Sequence, residues 1–193
     1  LVHHGLFWKN TPQPIDAPMR DRLKLLFDHD INLVGFHLPL DAHVTYGNNA
    51  RICDELGLTR LDTPFAVMGG HSIGCIGTYD DALDHAAFTS RLQQVVGGRP
   101  PLALGVTDRP IRTVAICSGG AANELAAAAA AGADAFITGE PNEPAHATAR
   151  ELGISFLAAG HHATETFGVR ALGNHLADHF GVRVTHLDAD NPV

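Results

Sequence analysis

From residue 112 to the end, short apolar runs alternate with helical stretches at a spacing that few folds can use. Residues 112–117 read as a strand, Ser118-Gly119-Gly120 as a tight turn, and 121–131 as a helix closed by Gly132. Residues 135–138 give a second strand, 143–152 a helix closed by Gly153, and 154–159 a third strand. A helix over 162–180 and a last strand over 183–187 complete the series. Strands that alternate with helices in this way bury both faces of a sheet, so the pattern predicts an α/β fold.

The first half fits the same class with less regularity. Residues 16–29 read as a helix with Asp16 as N-cap and Met19, Leu23, Leu26 and Phe27 on one face. Residues 31–36 form a short apolar strand ending at His37, and 48–56 a helix closed by Gly57. Glycines 69, 70, 74 and 77 break 64–79 into strand-like pieces, and 80–96 returns to helix. The expected architecture is two α/β lobes with mixed sheets covered by helices and a site at strand ends between them. Residues 1–193 make one unit, in which 1–60 and 110–193 are the site-bearing halves and 60–110 a connecting lobe. The opening Leu1-Val2-His3-His4-Gly5 reads as the end of a strand, so an N-terminal segment is expected to be absent from the sequence.

Composition removes several classes of function. A formal net charge of -8 argues against a sequence-independent nucleic-acid binder, which needs a basic face to displace counterions. No apolar run approaches the roughly 20 residues of a membrane span. Three cysteines, Cys53, Cys75 and Cys117, form no CxxC and suit buried, reduced thiols in a cytoplasmic protein. The unusual figure is thirteen histidines, equal to lysine and arginine together, which makes metal the first hypothesis.

Three histidine-carboxylate clusters fall where strands end. His3 and His4 are neighbours, and both reach one site only where the strand stops or kinks, as Gly5 permits. His37 and Asp41 flank an irregular Leu-Pro-Leu segment that can turn both toward the carboxyl edge of the sheet, the usual ligand crevice. His161 and Glu165 are four apart and share one face if a helix begins there, whereas His162 points elsewhere and reads as supporting. Imidazole and carboxylate together suit zinc, iron, manganese, nickel or cobalt, and the combined set is large enough for two divalent metal ions sharing a carboxylate. Glu140 and His146 flank a Pro-containing turn and read as supporting or structural. Ser118-Gly119-Gly120 could cradle a phosphate, but without a P-loop lysine a plain tight turn is the stronger reading. His29, His85, His175, His179 and His186 read as surface or satisfied residues.

The sequence resembles the Nif-three-like family, whose members are often named GTP cyclohydrolase 1 type 2 homologues. The motifs that carry the resemblance are VHHGLFWK (2–9), INLVGFHLPLDAH (31–43), GNNA (47–50), ICSGGA (116–121), DAFITGE (134–140) and AAGHHATE (158–165). The resemblance implies a dinuclear metal site held by His3, His4, Asp41, His161 and Glu165, with His37 as a further ligand or proton carrier. It also implies a toroidal homohexamer and a strand-helix segment ahead of the His-His pair. The chemistry it suggests is metal-dependent hydrolysis of a small molecule, with GTP cyclohydrolase-like attack on a nucleotide as one form. The competing reading is an oligomeric metal-binding regulatory or interaction protein without turnover. A nucleotide binder with metal only as a clip is disfavoured, because structural zinc sites are usually closed and sulfur-rich.

Overall fold

A computed structural model describes residues 1–8, 14–189 and 191. Lys9, the last residue of the first motif, lies outside them. The chain forms helices α1 (Ala17–Asp28), α2 (Leu38–Asp41) and α3 (Asn48–Glu55), then strands β1 (Thr59–Arg60), β2 (Val67–Met68), β3 (His71–Ser72) and β4 (Cys75–Leu83). Helix α4 (His85–Val95), β5 (Leu102–Gly105), β6 (Ile111–Ile116), a 3-10 turn at Ala122–Glu124 and α5 (Leu125–Ala130) follow. The last elements are β7 (Ala135–Thr138), α6 (Ala145–Leu152), β8 (Ser155–Ala158) and α7 (His161–Phe180).

Six strands form one mixed sheet in the order β1-β4-β6-β7-β8-β5. The central β6, β7 and β8 are parallel, and β4 and β5 pair antiparallel outside them. The segment expected as a connecting lobe therefore contributes β4 and β5 to the same sheet. Each face has its own core. Ile52, Leu56, Phe88, Leu92, Val114 and Leu157 pack on one side, and Phe65, Phe136, Phe156, Leu125 and Ile154 on the other. Every residue of β7 and β8 is buried, as expected for central parallel strands covered on both faces.

The sheet matters to function because β6, β7 and β8 all deliver their carboxyl ends to one edge. Ser118 and Gly119 follow β6, Gly139 and Glu140 follow β7, and Gly160 and His161 follow β8. Backbone bonds knit the three loops. Gly139 N–H donates to Gly119 O at 2.8 Å, and Gly160 N–H donates to Gly139 O at 3.0 Å. Gly139 has no room for a side chain, since a Cβ there would stand 2.6 Å from His161 Cα and 2.7 Å from Gly119 O.

Several local expectations need correction. Residues 31–36 form no strand; a single parallel bridge joins Val2 to Gly35, with Ile31, Leu33, Val34 and Phe36 exposed. One neighbour gives one bridge, and among the described residues no further strand extends it. Residues 183–187 are likewise irregular. Over 80–96, β4 continues through Leu83 and the helix begins at His85, with Asp84 as the cap that accepts from Ala87 N–H at 2.9 Å. The strand β5 had no signal of its own. Phe27, expected on the buried face of α1, is exposed, while Met19 is buried.

The start of α4 yields a pH prediction. His85 Nε2 lies 2.9 Å from the hydroxyl oxygen of the buried Ser155, and burial lowers its pKa. Its place in the first turn, near the positive end of the helix dipole, also disfavours a cation. The unfolded chain therefore takes up this proton more readily, and stability falls as pH drops below about 6.5 through the lowered folded value. His85→Gln should flatten the acid limb of a Tm-against-pH curve. An unchanged slope would remove His85 from the acid sensitivity.

Candidate metal centre

The parallel bridge at Val2 brings the first histidines to the sheet edge. Val2 N–H donates to Val34 O and Phe36 N–H donates to Val2 O, both at 3.0 Å. His3 and His4 consequently stand beside His37, with ring centroids 5.0 and 4.9 Å from it. Helix α2 begins directly after His37 and presents the buried Asp41 one turn on. The first turn of α7 supplies His161 and Glu165 from the other side, in the spacing expected of one helical face.

Glu165 is the hub. Its Oε2 lies 3.0 Å from His4 Nε2 and 3.1 Å from His161 Nε2, and its Oε1 lies 3.6 Å from His3 Nε2. His3 Nε2 also lies 3.3 Å from Asp41 Oδ2. The other Asp41 oxygen accepts from Asn48 Nδ2 at 2.7 Å, and Asn48 Oδ1 accepts from Gly168 N–H on α7 at 2.7 Å. Glu140 hydrogen bonds with His161 Nδ1, which turns the opposite nitrogen toward Glu165.

His3 carries the strongest chemical signal. It is buried, and neither ring nitrogen has a hydrogen-bond partner among the described residues, although two carboxylates stand close to Nε2. A buried imidazole so placed needs a cation in or beside it. Burial pulls its pKa down, but the two carboxylates of Asp41 and Glu165 beside Nε2 outweigh that and raise it to about 9. His4 and His37 go the other way, lowered first by burial and then by the neighbouring imidazoles. His3, His4, His37 and Glu165 each offer a ligand atom within 4.8 Å of the others. Two donors on one ion with bonds of about 2.0–2.2 Å stand at most about 4.4 Å apart, so small side-chain rotations would close this group on a metal ion. The donor set of imidazole and carboxylate fits a first-row divalent cation.

A model of the Duf34/NIF3 (NGG1p interacting factor 3) family matches residues 1–192. The chain belongs to that family. It is 42% identical over 192 residues to a GTP cyclohydrolase 1 type 2 homolog of Neisseria meningitidis, covering all of this chain and 75% of the relative. A homolog of the same name from Pasteurella multocida is 44% identical, with 100% and 76% covered. Among solved structures, protein ybgI, of unknown function, superposes with a TM-score of 0.90 at 40% identity, covering all of this chain and 76% of the other. TTHA1606 from Thermus thermophilus gives 0.83 at 37% identity, with 100% and 75% covered.

Within this NIF3 chain, the structure brings six of the residues singled out from sequence to one place: His3, His4, His37, Asp41, His161 and Glu165. Glu140 touches the group through His161. His162 faces away and bonds Asp188 at 3.1 Å. His146 stands apart, its Nδ1 accepting from Gly105 N–H at 3.3 Å. Ser118-Gly119-Gly120 is a turn that abuts the cluster: Ser118 Oγ lies 3.5 Å from Asp41 Oδ1, and Gly119 N–H donates to Thr164 Oγ1 at 3.1 Å. Sequence reasoning missed Asn48, Asn49, Thr164 and Trp8. Asn49 holds Ser118 N–H at 2.7 Å, and the Trp8 ring lies 5.0 Å from His4. Two adjacent asparagines opening a helix were the available signal for the first pair.

Proposed function

We propose that this chain is a metal-dependent hydrolase of small molecules that holds two divalent ions. His3 and Asp41 serve one side of Glu165 and His4 and His161 the other, with the Glu165 carboxylate between them. The observation that carries the reading is His3: a buried imidazole with no hydrogen-bond partner among the described residues, set between two carboxylates. The division of Glu165 supports the count of two, since its two oxygens face different histidines.

When bound, such ions polarise a carbonyl or imine-like carbon and make water acidic enough to attack near neutral pH. The chain's own residues do the rest. Glu140 holds His161 in one ring orientation, and Asn48 and Ser118 hold Asp41. His37, beside His3 and His4, carries the proton between the reacting group and solvent, or adds a ligand. Attack on C8 of a purine nucleotide is the form that the relatives' name supports, with GTP as the first substrate to try. A homo-oligomer, in the form of a toroidal hexamer, and a cytoplasmic location belong to the same proposal.

The test is elemental analysis for metal per chain, paired with turnover of GTP and of simple amide and phosphoester substrates. Two ions with metal-dependent turnover are expected. Two ions without turnover on any substrate class would favour a binding or regulatory protein instead, and absence of metal would undo the site. Because histidines bind only when neutral, metal should leave as pH falls through the histidine range. Unchanged occupancy well below about pH 5 would contradict a histidine-rich site.

A further inference from the structure

The metal centre forms one end of a cleft of about 1100 Å³, somewhat larger than the roughly 300–1,000 Å³ of most small-molecule pockets. Helix α7 makes one wall, with Thr166, Val169, Arg170 and Gly173 following Glu165 at helical spacing. Residues 182–187 make the opposite wall. Gly181, at φ +67, ends α7 and turns the chain back along it. Val184 then rests on Gly173, where an added Cβ would stand 3.1 Å from its Cγ1. The far end is tied down by the His162–Asp188 pair.

Two arginines line this cleft, Arg170 on the helix and Arg183 on the returning segment. Neither has a hydrogen bond or ion pair among the described residues, in a chain with only 13 lysines and arginines against 21 acids. The acids of the same cleft are already engaged: Glu140 by His161, and Glu165 by His4 and His161. Arg170 lies five residues beyond Glu165, about 7 Å further along the helix axis. Five residues also turn about 140° around the helix, so Arg170 leaves α7 on a different side from Glu165, and the two are joined by the cleft that both line. Guanidinium groups left free in a concave site are suited to bidentate recognition of phosphate.

We infer that the cleft binds a phosphorylated small molecule, with Arg170 and Arg183 on its phosphate and the reacting group at the His4–Glu165 end. The inference rests on the proposed hydrolase for the second half of that statement only. Calorimetric titration of pyrophosphate into the full chain tests it, comparing wild type with Arg170→Gln, Arg183→Gln and Lys24→Gln. Both arginines are exposed, so the variants should fold, and their Tm values check this. Lys24 lies on α1, is paired with Asp28 and does not line the cleft, so it controls for loss of charge. Each arginine variant should bind about tenfold or more weakly, and the Lys24 variant within about twofold of wild type. Equal affinity across all four, or no binding by wild type, would overturn the inference. Metal content measured on the same samples separates the two proposals. Arginine-dependent binding by a chain that holds no metal would leave the anion site standing and sink the hydrolase. A metal-loaded chain whose pyrophosphate affinity ignores both arginines would do the reverse.

Discussion

Asp41→Ala should hold at least one ion fewer per chain than wild type after identical loading, read by elemental analysis. The carboxylate is buried and 3.3 Å from His3 Nε2, nearer than Glu165 at 3.6 Å. Removing it also strands Asn48 Nδ2, whose acceptor it is, at a cost of about 1–3 kcal/mol for an unpaired buried donor. Asp41→Asn keeps the shape while giving up the charge, and so separates ligand loss from packing loss. The metal-free proteins should differ in pH dependence as well. In wild type the His3 pKa is raised to about 9, so its contribution to stability is full below the unfolded value near 6.5. It is lost as pH rises through about 9 and amounts to about 3 kcal/mol at most. Asp41→Ala removes one of the two carboxylates that sustain this shift, so its Tm should decline less across the same window. A bound cation replaces the proton and should reverse the trend, stabilising the wild type most where His3 would otherwise be neutral. Full metal occupancy in the alanine variant would remove Asp41 from the site.

The parts of this fold that could be read from sequence are those in which burial and local chemistry agree. The strand β7 is a fully apolar run apart from its terminal Thr138, bounded by Asp134 and Gly139, and the structure places it at the bounds expected. Helix α6 ends at Gly153 in the left-handed conformation, as its position suggested. Residues 31–36 misled because β-branched and apolar residues promise a strand only where a partner is present, and here Val2 provides a single bridge. Residues 80–83 misled in the opposite sense, since a polar, alanine-containing stretch extends β4 through its pairing of Leu83 with Ile111. The candidate site was legible through its ligand types and their position at strand ends. Its supports were not. Asn48 and Thr164 act through contacts across the chain, to Gly168 and Gly119, which no local spacing announces. The two cleft arginines were invisible for the same reason, because only the turn at Gly181 brings the segment that carries Arg183 back to the cleft that Arg170 lines.

Gly119→Ala should weaken metal binding about tenfold or more although it replaces none of the candidate ligands. Gly119 adopts φ +68 in the loop after β6, where any side chain is strained by about 1–2 kcal/mol. The larger effect is positional. A Cβ built there would stand 2.3 Å from Glu165 Oε1 and 3.2 Å from both Glu165 Cδ and His161 Nε2. The backbone cannot retreat, because Gly119 N–H is held by Thr164, and its carbonyl accepts from Gly139, Glu140 and the Thr138 hydroxyl. The carboxylate must therefore swing aside, taking Oε1 from His3 and disturbing Oε2 against His4 and His161. The substitution acts on the residue that joins both halves of the cluster, so it should be more damaging to affinity than its modest loss of stability suggests. Metal titration followed by calorimetry, alongside thermal unfolding of the metal-free chain, separates the two effects. If affinity and stability fall only in proportion, Glu165 is not positioned by this contact. If affinity collapses while Tm drops by a few degrees, the empty space beside Gly119 is what keeps the Glu165 carboxylate in place.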